Sequence, residues 1–320
     1  MNEELKVSVV VANWNRKDDL KECLESIKNE TYKNIEVIVV DNHSTDGSIE
    51  MVRSEFPEVK LIIMPDSSYG ACETFNIGFA NTTGEYIIVM DNDAVMGGHN
   101  TVEKIVEEFQ KNPRTGIISC KIYNYYTKQP ENLLLTKEGA ITSKELDKYI
   151  NYTYIDFHGA GAGLRKNMLE DIGYYNKDLF IYMNETDLST RALTAGYEIR
   201  YFSDILFYHK QKPDSRPSSR NIYYRVRNTS LWANTYLPFI KRCNFVLGTI
   251  FSHFSYIKGG TSQLFFIGNK GKNIDMFKSW LKASFTAIKE LVWFKNRYIL
   301  DKKLIEKYEP IINFVNLIKK

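Results

Sequence analysis

Along the first 210 residues, apolar side chains occur in short, nearly unbroken runs, each followed by a stretch in which they recur at helical spacing. The runs 7–12, 35–40, 59–64, 86–90 and 116–120 are rich in Val and Ile and predict strands. Between them, 20–28 places Leu20, Cys23, Leu24 and Ile27 one helical turn apart, and 48–55 and 101–110 repeat the pattern. Strands that are apolar at nearly every position are covered by helices on both faces, so the alternation predicts βαβ units and an α/β fold built on a mostly parallel sheet. Ligands of such sheets lie beyond the carboxyl ends of the strands, and chemistry is expected in the residues that follow each run.

Those residues are polar. Ala12-Asn13-Trp14-Asn15-Arg16 follows the first run, Asp41-Asn42-His43-Ser44-Thr45-Asp46-Gly47-Ser48 the second, and Asp91-Asn92-Asp93 the fourth. Ionised carboxylates at the end of a buried strand need a partner. Two residues apart in extended chain, Asp91 and Asp93 point the same way roughly 7 Å apart and can share one divalent ion. Hard oxygen ligands suit Mg²⁺ or Mn²⁺, and two carboxylates leave positions for the diphosphate of a nucleotide. The 41–48 loop reads equally well as a polar turn with a helix N-cap at Asp46 or Ser48.

Three later segments carry candidate chemistry. Alternating glycines at Gly159, Gly161 and Gly163 lack the spacing of a phosphate loop and permit close approach of a ligand or of a neighbouring element. Glu185 and Asp187 fall in the first turn of a helix whose buried face is Leu188, Ala192 and Leu193; they answer the helix dipole or serve as a general base. His209 closes a strand expected at 205–210 and is either structural or a ligand beside the two aspartates. Residues 121–155 are tyrosine-rich and irregular, and no function is legible in them.

Composition narrows the class without deciding it. With 43% hydrophobic and 25% charged residues, a 320-residue chain is an ordinary globular protein of one or two domains. The net charge of +3 conceals an asymmetry: residues 241–320 hold 15 Lys and Arg against 5 Asp and Glu, leaving 27 against 34 before them. Aromatic residues interleave with this positive tail, in expected helices at 276–295 and 304–308. The tail predicts either contact with an anionic membrane surface through 241–320 or a helical packing and homo-oligomer element; no nucleic-acid motif supports the third use of such charge. Scattered Cys23, Cys72, Cys120 and Cys243 predict free thiols, and an acidic start without an apolar core predicts no signal peptide, hence a cytoplasmic protein, peripheral on the inner membrane face if the tail binds lipid.

Taken in order, residues 8–15, 40–48, Gly70 with Asn76-Ile77-Gly78, Asp91-Asn92-Asp93, Glu185-x-Asp187-Leu188 with Arg191, and His209 resemble a family 2 glycosyltransferase of the GT-A fold over roughly residues 6–230. The resemblance implies a Rossmann-like mixed sheet flanked by helices in domain 1–230, with 231–320 a helical, aromatic and basic extension. It implies an inverting, metal-dependent transfer from a UDP- or dTDP-sugar to a hydroxyl of a glycan or lipid-linked acceptor in cell-surface polysaccharide synthesis. Ala12, Asn13, Asn15, Asp41, Asn42, Ser44, Gly70, Asn76, Asp91 and Asn92 are then expected to bind the nucleotide sugar, with Asp41 accepting a base N–H. Asp93, His209 and Asp91 would hold Mn²⁺ or Mg²⁺, and Glu185 or Asp187 would be the catalytic base. Asn184-Glu185 departs from the Glu-Asp usual in the family, which leaves a catalytically inactive nucleotide-sugar or glycan-binding module as a rival. A sugar-nucleotide pyrophosphorylase would open on a Gly-rich loop, which 12–16 lacks.

Overall fold

The computed structural model of the chain describes residues 5–131, 134–136, 139–141, 156–211, 219–257, 274–293, 298–306 and 308. The chain divides into two compact units. The first comprises Met1–Leu134, Ile141–Phe180 and Asn184–Gln211, and the second Leu135–Ala140, Ile181–Met183 and Lys212–Lys320.

The first unit is an eight-stranded sheet. Its strands are β1 (Val7–Asn13), β2 (Ile35–Asp41), β3 (Lys60–Ile63), β4 (Tyr86–Asp91), β5 (Ala94–Met96), β6 (Thr115–Asn124), then β9 (Ala162–Arg165) and β10 (Glu198–His209); β7 (Leu134–Thr136) and β8 (Gly139–Ile141) pair with each other, mostly within the second unit. The order across the sheet is β3-β2-β1-β4-β9-β6-β10-β5. β9 runs antiparallel to both β4 and β6, and β5 antiparallel to β10, while the other pairings are parallel. Six strands therefore run one way, and their carboxyl ends share one edge. Register fixes which residues meet there: Asn13 pairs with Asp41, Ala12 with Asp91, and His209 with both Asn124 and Ala94.

Helices α1 (Lys17–Lys28), α2 (Ser48–Glu55), α3 (Ala71–Ala80), α4 (Thr101–Lys111), α5 (Lys166–Ile172) and α6 (Asn184–Thr194) accompany the sheet. The apolar faces expected of 20–28 and 101–110 are the ones buried: Leu20, Leu24 and Ile27 on α1, Val102, Ile105 and Phe109 on α4, in one core with Val9, Val11, Ile88 and Ile118. Ile38, Val40 and Met64 form a smaller cluster. β9 was not anticipated from the sequence, because alternating glycines remove the apolar period that marks a strand. They are there for packing: a Cβ on Gly161 would meet the Phe207 ring at 2.3 Å, and one on Gly163 would meet Ile105 at 2.8 Å.

The second unit is helical, with α7 (Ser219–Tyr236), α8 (Phe239–Ile257) and α9 (Ile274–Trp293). The sequence-based boundary after residue 230 falls within α7. Trp232 packs against Tyr236, Phe245 and Tyr308, and the Trp280 indole N–H donates to the Ile250 carbonyl at 2.9 Å. Among the described residues, no helix is long and apolar enough to cross a membrane.

Candidate active site at the strand-end rim

At the ends of β1 and β2 the side chains are wired to one another. Asn13 Nδ2 donates to Asp41 Oδ2 at 2.7 Å, and the Ser44 amide donates to Asp41 Oδ1 at 2.7 Å. Asn92 Nδ2 donates to Asn13 Oδ1 at 2.7 Å, and the Asn15 amide to Ser44 Oγ at 2.9 Å. Asn15 and His43 hold left-handed backbone, φ 49° and 59°, a conformation Asn and His adopt more readily than most residues. Asn42 donates to the Tyr69 carbonyl at 2.9 Å, and its Oδ1 is buried without a partner. The N-cap expected at Asp46 or Ser48 falls instead on Gly47, in left-handed backbone at φ 87°. Asp46, one residue earlier, accepts from the amides of Lys17 (2.8 Å) and Ser48 (3.0 Å), the first residues of α1 and α2.

At the ends of β4 and β10 lies the acidic centre. Ligand atoms of Asp91, Asp93 and His209 all fall within 4.8 Å of one another. β5 returns the chain directly after Asp93 and pairs with β10, and the Lys210 amide donates to the Asp93 carbonyl at 2.7 Å. His209 Nε2 lies 3.4 Å from Asp93 Oδ1, while its Nδ1 lies 2.6 Å from Glu131 Oε2. Burial disfavours a charged imidazole, but Asp93 and Glu131 outweigh it and push His209 up to about 10. Burial likewise opposes the charge of Asp93, yet His209 and Arg16, the latter 3.5 Å away, hold it below its ordinary value. Asp91 is pushed up, first by burial and then by the charge of Asp93. Two carboxylates and an imidazole at this spacing fit a hard divalent cation; without one, the protonated ring and Arg16 supply the positive charge.

Glu185 stands in the first turn of α6. Burial, and after it the charges of Asp156 and Asp91, push its carboxyl up to about 8. Asp156 fixes that turn by accepting from Thr186 Oγ1 at 2.7 Å and Ser189 Oγ at 3.2 Å. Gly159 makes room for the Glu185 carboxylate, since a Cβ there would lie 2.5 Å from Glu185 Oε1. Of the two readings of the alternating glycines, close approach to neighbouring elements describes Gly161 and Gly163, and Gly159 borders the candidate base. Asp187 is engaged by Arg191 through two nitrogens, each at 2.9 Å, and Arg191 also holds the carbonyls of Ile172, Gly173 and Tyr174.

The rim thus gathers Ala12, Asn13, Asn15, Asp41, Asn42, Ser44, Asp91, Asn92, Asp93 and His209, all at or just beyond strand ends. Two expected residues have other partners. Both ends of the Asn76 amide are paired with the backbone of Tyr175, at 2.7 and 2.9 Å, and Gly70 is pressed against Phe180, whose carbonyl would lie 2.4 Å from an added Cβ. Glu131, Asp156 and His158 were not anticipated. His158 lies 3.9 Å from Glu131 and stacks edge-on at 5.4 Å against His209, and burial pushes it down to about 4. The available signal was position: Asp156-Phe157-His158 precedes β9, whose amino end lies on the rim because it runs against its neighbours.

The sequence profile of Glycosyl transferase family 2 matches residues 8–173, half of the chain and all of its first four strand ends. The chain belongs to glycosyl transferase family 2. The chain is 33% identical over 121 residues to glycosyltransferase GlyG of Streptococcus pneumoniae, a match covering 37% of the chain and 40% of that relative. It is 23% identical over 303 residues to the probable glycosyltransferase YdaM of Bacillus subtilis, covering 84% of the chain and 65% of that relative. The matches thus span less than two thirds of these relatives' own lengths. In fold it is similar to the mannosyltransferase PcManGT of Pyrobaculum calidifontis, solved with GDP-Man and Mn²⁺, at TM-score 0.56 and 17% identity over 92% of this chain and 89% of that one. It is also similar to residues 1–349 of S. aureus TarS solved with UDP-GlcNAc, at TM-score 0.58 and 16% identity over 98% and 88%. The GT-A α/β fold expected from the sequence is the one observed.

Proposed function

We propose that this transferase is an inverting, metal-dependent enzyme that moves a hexosyl or deoxyhexosyl group from a UDP- or dTDP-sugar to a hydroxyl of a glycan or lipid-linked acceptor in cell-surface polysaccharide synthesis, at the cytoplasmic membrane face. The observation that carries this reading is the Asp91, Asp93 and His209 triangle at the edge where the parallel strands end. Mn²⁺ or Mg²⁺ held by these three would supply the positive charge that a departing nucleoside diphosphate requires. Solved structures of the same fold with GDP-Man and Mn²⁺ and with UDP-GlcNAc support a nucleotide-sugar donor.

The chain's own groups divide the remaining work. Asn13, Asn15, Asn42 and Ser44 frame Asp41, which keeps lone pairs to accept a base N–H after its two internal hydrogen bonds. Asn92 ties this pocket to the acidic centre through Asn13. Glu185 takes the proton from the attacking hydroxyl, and its raised pKa suits a base acting near neutrality. Glu185 is favoured over Asp187 because Arg191 already engages Asp187. One base without a second carboxylate nucleophile gives direct displacement and inversion.

Melting the protein with UDP, dTDP, GDP and their sugars, with and without Mn²⁺, tests the donor; a ligand that binds the native state raises the melting temperature. A uridine or thymidine sugar plus Mn²⁺ should give the largest rise. Release of nucleoside diphosphate should fall by on the order of 10² to 10³ in Asp93→Ala. Binding without turnover under any acceptor would replace the enzyme with a binding module, and no stabilisation by any donor would remove the nucleotide-sugar reading.

A further inference from the structure

Helices α8 and α9 bury Phe245, Val246, Ile250 and Met276, yet each also turns a second set of bulky apolar side chains outward, which water does not select on a surface helix. On α9, Phe277, Leu281, Phe285, Ile288 and Val292 are exposed, Phe285 at 73% and Val292 at 66%, while Ala283, Ser284 and Ala287 are buried. At about 100° per residue, these five exposed side chains fall within an arc of roughly 80°. Directly beside it, in the next roughly 60°, lie the exposed Lys278, Lys282 and Lys289. On α8, Ile240 at 74%, Leu247 and Phe251 are exposed, and the only other residue in their arc is Asn244. Its inward positions include Arg242, Thr249, Ser252 and His253, all buried.

An apolar arc of this length exposed on a helix marks a contact surface, and the charge beside it selects the occupant. A second copy of the chain would bring its own lysine border against this one, with Asp275 the only exposed acid of α9 to answer it. Residues 241–320 as a whole carry 15 basic side chains against 5 acidic ones. A lipid surface bearing acidic headgroups supplies both an apolar phase for the arc and counter-charge for the lysines. We propose that α9 lies in the headgroup layer of an anionic membrane, its Phe277-to-Val292 arc inserted and Lys278, Lys282 and Lys289 on lipid phosphates, with the uncharged outward arc of α8 adding apolar contact. The inference rests on the proposed function only for the purpose of such docking, which is access to a lipid-linked acceptor.

The full-length protein is floated with phosphatidylcholine vesicles and with vesicles in which a third of the lipid is phosphatidylglycerol. Partition onto the anionic vesicles should exceed that onto the neutral ones by more than about tenfold and weaken with salt. The double variant Phe285→Gln with Val292→Gln should lose that partition, and so should Lys278→Glu with Lys289→Glu; both pairs are exposed, and melting temperature reports that each folds. Equal partition onto both vesicle types, or binding that neither variant reduces, overturns the proposal. So does a lipid-free dimer that the Gln variant dissociates in light scattering, which would assign the face to a second copy. Mn²⁺-dependent release of nucleoside diphosphate, measured on the same samples with soluble donor, separates failure of docking from failure of the transferase chemistry.

Discussion

At Glu185, folding and the proposed role as base pull in opposite directions. Its carboxyl is pushed up to about 8 by burial and by the charges of Asp156 and Asp91, so every pH unit above its unfolded value of 4.5 removes stability from the native state until about 8 is reached. A group whose ionised form destabilises the fold persists when that form has a task, and proton abstraction near neutrality is such a task. Glu185→Gln keeps the shape beside Gly159 and removes the charge. It should raise the melting temperature by a few degrees at alkaline pH and lower the rate of sugar transfer by roughly 10² to 10⁴. Thermal melts and initial rates on one preparation check both halves. Transfer that survives the substitution would pass the base role to Asp187, although Arg191 occupies it.

At the scale of elements, the legible and illegible parts of the sequence separate by physical cause. β1, β2 and β4 were read correctly because each is apolar at nearly every position, and the polar residues at their ends sit on the rim because parallel strands share an edge. β9 was missed because Gly161 just before it and Gly163 within it serve close packing on Phe207 and Ile105 and not an apolar period. Glu131 was missed for a different reason: only the return of the chain after β6 brings it to His209. Asn124 holds that return in place, donating to Glu131 Oε1 at 2.8 Å, and the Glu131 amide donates to the Ile122 carbonyl at 2.8 Å. Glu131 then faces the Nδ1 edge of His209 while Asp93 faces the Nε2 edge. A carboxylate on the far nitrogen of a metal-binding histidine fixes its tautomer and orientation, and losing such a partner typically weakens metal binding by 10–100-fold. Glu131→Ala should therefore weaken Mn²⁺ binding by about that factor, with Glu131→Gln intermediate because its amide oxygen still accepts from Nδ1–H. Calorimetric titration of Mn²⁺ decides it, and unchanged affinity in both variants would reduce Glu131 to a packing residue.

For the molecule as a whole, the proposed metal site would link metal affinity to pH. In the metal-free protein His209 is raised from 6.5 to about 10, so its ion pairs with Asp93 and Glu131 contribute stability that is fully present below 6.5 and lost as pH rises through about 10. A metal needs the same ring neutral, so binding must release that proton. Across the physiological range Mn²⁺ competes with a proton on His209, and its affinity should rise by about tenfold per pH unit until the ring titrates. The metal-free melting temperature loses the ion-pair contribution over this interval, while the metal-bound one, with the ring unprotonated in both native and unfolded states, is level with respect to His209, so the two curves diverge as pH increases. At one subsaturating Mn²⁺ concentration, the rise in melting temperature should be clearly larger at about pH 8 than at about pH 6. His209→Gln removes the competing proton and should flatten that dependence above pH 6 while lowering affinity throughout. A rise that is equal at both pH values in the unsubstituted protein would mean that His209 stays protonated beside the ion, leaving Asp91 and Asp93 to hold it alone.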